Sequence, residues 1–158
     1  MKRYTVLIAA ALLVLFSACK TKKNKQVGDP ITAEEAKEIY LDSTEQSCKG
    51  AVLRLVLSSS KVRSLTLAVD ETVKKNGGTG HGFILDASPN PDADGSEEKS
   101  ENYSFSVHEI YPEMHPPVAQ FIYSPAKKEL YQFDALHNKN VLIDHDASLE
   151  PMLQNACK

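Results

Sequence analysis

A chain of 158 residues that is 42% hydrophobic and 25% charged, with no tryptophan, has the composition of one ordinary globular core. Its formal charge of −3 hides a split: beyond Gln26, 12 Lys and Arg face 21 Asp and Glu, a balance of −9, while Lys20, Lys22, Lys23 and Lys25 place +4 just ahead of it. So acidic a body excludes nucleic acid as a natural partner and leaves anionic membrane surfaces to the basic stretch.

In chain order, Lys2 and Arg3 precede an apolar run over residues 6–16, followed by Ser17-Ala18-Cys19. The run is too short and too close to the terminus for an ordinary spanning helix, and the small residues before the cysteine predict cleavage there. The segment resembles bacterial lipoprotein signal peptides, in the looser form familiar in Bacteroidota, with Phe16 where Leu is commonest. That resemblance implies that Cys19 takes a diacylglyceryl thioether and becomes the lipidated first residue, so that the protein is held in the bacterial cell envelope by its membrane. Loss of residues 1–18 leaves 140 residues, divided into a lipidated basic tether over 19–30 and a single domain over 31–158. Each tether lysine adds roughly 1 kcal/mol at an anionic surface. Exported surface lipoproteins often carry acidic residues after the cysteine; lysines in that place imply retention facing the periplasm, with inner and outer membrane both open.

Thr32-Ala33-Glu34-Glu35 is a capping box ahead of a helical face at Ala36, Ile39 and Tyr40. A second helical set follows at Val52, Leu53, Val56 and Leu57, with Gly50 read as a bend. Val62, Leu65, Val69 and Val73 recur at three, four and four residues and end in Lys74-Lys75-Asn76-Gly77, a helix C-terminus; a strand through residues 65–69 is the alternative. From Gly82 the period becomes two. Strands are predicted there, from Tyr103 through Tyr111, from Val118 to Tyr123, and at Leu130 to Phe133, the last two joined by the turn Ser124 to Lys128. Val141-Leu142-Ile143 adds a short further strand, and a final helix runs from Ala147 to Ala156. The predicted fold class is α+β, with N-terminal helices on a four- to five-stranded antiparallel sheet and a short C-terminal helix. The segment from Tyr103 to Glu109, with the lysine-rich turn after Pro125, is similar to sheet segments of small bacterial lipoproteins, a likeness of about thirty residues that assigns no catalytic group.

With Cys19 consumed by lipid, Cys48 and Cys157 are read as a disulfide in an oxidising compartment; two reduced, buried cysteines are the alternative. The bond would close about 110 residues and stabilise the fold by roughly 4 to 5 kcal/mol. Asn90, Asp92, Asp94 and Glu101 have the oxygen spacing of a calcium loop, although Glu97 stands where an aliphatic anchor is usual and strands flank the loop; an acidic, solvated connection explains the same residues. The glycines at 77, 78, 80 and 82 read as a helix cap running into a sheet, leaving His81 exposed. His115, His137 and the Asp144-His145-Asp146 run lack metal-ligand spacing, and His108 and Glu109 are expected on opposite faces of a strand. Ser58-Ser59-Ser60-Lys61 reads as a helix connection, not a nucleophile motif. Phe105, Phe121, Tyr123, Tyr131 and Phe133 are expected to supply the core, with a ligand groove as the alternative. The reading is a noncatalytic binding or interaction module without cofactor, acting through its sheet face or acidic loop on an envelope protein or ligand. A calcium-binding module and a hydrolase with a site scattered in sequence remain as alternatives.

Overall fold

The computed structural model describes residues 31–32 and 47–157. The signal segment, Cys19, the tether, and the capping box beyond Thr32 with its helical face lie outside the described residues. Elements run in the order β1 (Ile31–Thr32), α1 (Cys48–Ser58), α2 (Ser60–Lys75), β2 (Gly80–Ser88), α3 (Pro91–Asp94), β3 (Glu98–Lys99), β4 (Tyr103–Ile110), β5 (Pro117–Ser124), β6 (Glu129–Asp134), β7 (Lys139–Ile143), a 3-10 turn (Ala147–Leu149) and α4 (Glu150–Ala156).

The fold is α+β, and two details of the expected architecture are corrected. The sheet is mixed: β2, β4, β5, β6 and β7 form an antiparallel meander, but the two-residue strand β3 pairs parallel to β2 at Ala87↔Glu98 and Ser88↔Lys99. The short strand β1 pairs antiparallel with β2 at Phe83 and Gly82. Nor do the helices all precede the sheet, since the single turn α3 sits between β2 and β3. Both corrections come from the acidic segment after Ser88, which leaves the sheet edge, makes one helical turn closed by Gly95 in the left-handed region, and returns along the same edge.

α1 begins where the Ser47 hydroxyl accepts from the Gly50 amide. Gly50 therefore lies buried inside the first turn and makes no bend. The three-four-four spacing of α2 wins over the alternating pattern within it, as Val62 and Val73 are fully buried beneath the helix. α2 ends in a Schellman motif: Gly77, at φ +85°, donates to the Lys74 carbonyl and Gly78 donates to that of Val73. A Cβ on Gly78 would lie 2.6 Å from the Ile110 carbonyl oxygen, so the helix exit can press on β4 only as glycine.

The core lies between the helices and one face of the sheet. Leu53, Leu55 and Val56 from α1, Phe83 from β2, Phe105 and Val107 from β4, Phe121 and Tyr123 from β5, and Leu130 from β6 are buried together. Burying each large apolar side chain stabilises the fold by about 2 to 3 kcal/mol before entropy is counted. α4 closes the bundle with Leu153. Cys48 at the start of α1 and Cys157 after α4 lie at disulfide distance, with Cα atoms 4.6 Å apart and a sequence separation of 109.

Candidate functional site

The alternation of β4 divides its residues between two environments. Tyr103, Phe105 and Val107 turn into the core, so Ser104, Ser106 and His108 turn to the opposite face, away from the core cluster, where the two serines are buried and His108 is half-buried. Glu109 points back under α2, so His108 and Glu109 do occupy opposite faces.

A β-bulge flanks this row on each side. Between β2 and β4 the register passes from Leu85↔Phe105 to Ala87↔Ser104, leaving Asp86 as the extra residue. Between β4 and β5 it passes from Val107↔Ala119 to His108↔Pro117, leaving Val118 as the extra residue. Bulges re-aim side chains, and these two bring a carboxylate and an exposed valine to the same stretch of β4. Asp86 Oδ1 accepts from the Ser106 hydroxyl at 2.8 Å, and Ser106 Oγ lies 2.8 Å from His108 Nε2. The carbonyl of His115 can only accept, so His108 Nδ1 carries a hydrogen and donates to it at 2.6 Å. Gln120, opposite Ser106 on β5, donates through Nε2 to Ser104 Oγ at 2.8 Å.

Asp86, Ser106, His108, Gln120, Val118 and Phe133 line a depression of about 480 Å³. Burial pushes the Asp86 carboxyl above its ordinary value, the nearby charges of Glu97 and Glu98 add to that, and the Ser106 hydrogen bond and His108 work against it. Ser106 holds one hydroxyl proton between two acceptors.

The arrangement differs from that of a hydrolase. Serine stands between carboxylate and imidazole, where acyl transfer needs imidazole between the other two. Ser106 also pairs with Ile84 on one side and Gln120 on the other, so the local amides are taken up by the sheet ladder and do not converge as an oxyanion site.

On the helix side, polar groups act as ties. His81 is 8% exposed, and its Nδ1 lies 2.7 Å from Asp70 Oδ1, joining β2 to α2; the expectation that it is exposed is corrected by this partner. Tyr123 donates to Glu150 at 2.8 Å, and His145 Nε2 lies 3.2 Å from the other oxygen of the same carboxylate. Burial first, then that acceptor, holds the Tyr123 phenol far above its ordinary value. Tyr103 is pushed to about 12 by burial and by the charge of Asp94, and its hydroxyl lies 2.7 Å from Cys48 Sγ. The three serines at 58–60 form the helix connection, capped by Asp144, which accepts from the Ser60 amide and from the Ser59 and Ser60 hydroxyls. Those hydrogen bonds hold the Asp144 carboxyl below its ordinary value.

Of the residues singled out for calcium, Asn90 precedes α3, Asp92 and Glu101 are exposed, and Asp94 is buried with Oδ2 unpartnered. At about 100° per residue, the single turn of α3 sends Asp92 and Asp94 to opposite sides. No three His, Cys, Asp or Glu side chains converge as metal ligands among the described residues. The five aromatics expected in the core divide by strand parity: Phe105, Phe121 and Tyr123 are buried, whereas Tyr131 and Phe133 are half-buried and Phe133 lines the depression. Asp86, Ser106 and Gln120 were not legible as a site from sequence spacing; the polar parity of Ser104, Ser106 and His108 against three apolar neighbours is the signal that points to them. Set against protein-family models, curated proteins and solved structures, the chain matches none of them.

Proposed function

We propose that the chain is a lipid-anchored protein of the bacterial envelope, facing the periplasm, whose domain is a noncatalytic binding module with its ligand in the depression on the open sheet face. The observation that carries the binding role is the pair of bulges on either side of β4, which set Asp86 and Val118 beside one concavity. A sheet needing only to cover a core has no use for a half-buried carboxylate on its far side. The residues from Lys2 to Cys19 support the anchor, the basic tether would lie near anionic head groups, and the acidic body would be held off by its own charge. A hydrolase would draw on the Ser106 and His108 contact, but the serine's position and the committed ladder amides favour binding. A calcium module is weaker, because Asp92 and Asp94 diverge on α3.

Two measurements test this. Metabolic tagging with a fatty-acid analogue is expected to mark the native chain and leave Cys19→Ser unmarked; an untagged native chain with its initiator methionine intact would refute the anchor. For the site, a photo-crosslinking residue at position 118 of the full chain in intact envelopes is expected to yield a discrete adduct. The same residue at Leu67, exposed on α2, serves as the control. Equal yields at both positions would remove the open face as the binding surface.

A further inference from the structure

We propose that the depression takes a cation, a primary ammonium or guanidinium group carried on a short apolar arm. This rests on the binding-module reading and names the class of ligand.

The hydrogen-bonding capacity left over in the site decides the class. Ser106 is engaged on both sides, and both nitrogens of His108 have partners. Asp86 lines the depression and uses Oδ1 for Ser106, and its second carboxylate oxygen has no hydrogen-bond partner among the described residues. Gln120 gives one amide hydrogen to Ser104 and keeps its carbonyl oxygen and its second amide hydrogen. What the site offers a ligand is therefore mainly acceptors, a carboxylate oxygen and an amide oxygen, so the ligand must bring donors. Ammonium and guanidinium are donors without acceptors and carry the charge that complements Asp86.

The surrounding charge has the same sign. Glu97 and Glu98 are exposed near Asp86 and act on its carboxyl, and neither lysine nor arginine lines the depression. An anion would meet the Asp86 carboxylate there, with Glu97 and Glu98 adding charge of the same sign nearby and His108 alone to offset them. A neutral polyol would gain the two acceptors but nothing from the charge. Val118 and Phe133, with Pro117 beside them, form the other wall, which suits an apolar arm of a few carbons. The volume of about 480 Å³ admits such a group and its arm.

The test uses the full chain in detergent with three probes: phenethylamine, its neutral counterpart 2-phenylethanol, and Nα-acetyl-lysine methylamide, which presents the cation as a peptide side chain. Binding is read by calorimetry and by NMR shifts of the Ser106, His108 and Gln120 amides. Phenethylamine is expected to bind about tenfold more tightly than the alcohol, and Asp86→Asn to remove that difference. Gln120→Glu, which adds a carboxylate in place of the amide, is expected to tighten amine binding and keeps the test informative if Asp86→Asn folds poorly. Tighter binding of the lysine probe points to a basic side chain of a partner protein; tighter binding of phenethylamine points to a free amine. Equal affinity for amine and alcohol, or amine binding unaltered by both variants, overturns the cationic class. Should that happen while the adduct at position 118 persists, the binding face stands and only its ligand class falls.

Discussion

Asp86 is half withdrawn from water on a face where a neutral residue would serve the sheet equally well, and that burial is the first cause of its raised carboxyl. A carboxyl whose folded value is raised binds its proton more tightly in the native state, so acid relieves the cost and neutral pH imposes it in full. Asp86→Asn keeps an oxygen for the Ser106 hydroxyl and removes the buried charge. The variant is therefore expected to melt about 2 °C above the native chain at pH 7, with the gap closing as pH falls from the raised folded value of Asp86 to the ordinary aspartate value. Thermal melts at pH 7 and pH 4 check this. A lower melting temperature at pH 7 would mean that the charge-assisted bond to Ser106 outweighs burial, and that Asp86 is a structural tie like Asp70. Gain of stability on removing a functional group is the pattern expected of a site kept for binding.

Among the elements, the junction of α1 and α2 is the tightest. Ser59 is fully buried, closes α1, caps α2 by accepting from the Val62 amide, and donates to Asp144 after β7. Ser59→Ala removes the cap and one of the Asp144 donors, and is expected to cost about 1 kcal/mol, seen as a lower urea midpoint with unchanged slope. An unchanged midpoint would mean that Asp144, through Ser60 alone, suffices to hold the helix start. Elements of this kind were legible because their signals are local: α2 in its Val62, Leu65, Val69 and Val73 spacing, β4 in its alternation, and the β5–β6 hairpin in its turn residues, where Lys128 takes φ 56°. The cap at Gly77 and Gly78 was legible for the same reason. What was not legible depends on register with a distant partner. β1 and β3 are too short to show a period, and their strand character exists only against β2. The burial of His81 depends on Asp70 a helix away, and the fate of Phe133 on which parity of β6 meets the core. The site needed both bulges, which no single-strand pattern announces, so neither Asp86, Ser106 and Gln120 nor their convergence could be read from spacing.

At the scale of the whole molecule, chain order and spatial order diverge at the ends. The sheet runs from β1 to β7, and the chain then returns across the helix face so that α4 packs beside α1 and the last described residue, Cys157, meets Cys48. α4 is only seven residues long and buries one residue, Leu153, in the core. So short a helix holds little stability of its own, and its docking relies on the bridge and on Glu150, which receives Tyr123 and His145. Linking residues 109 apart constrains the unfolded chain over nearly the whole described length. Replacing both cysteines by serine is expected to lower stability by about 4 kcal/mol and the melting temperature by about 10 to 20 °C. Reductant should lower the melting temperature of the native chain by a similar amount and leave the double variant unaffected. Intact mass after alkylation without reductant gives the independent check, because two added alkyl groups on Cys48 and Cys157 would mean free thiols. A double variant as stable as the native chain would show that Leu153 and the Tyr123–Glu150–His145 cluster dock α4 unaided, and that the fold closes through its core and not through its cysteines.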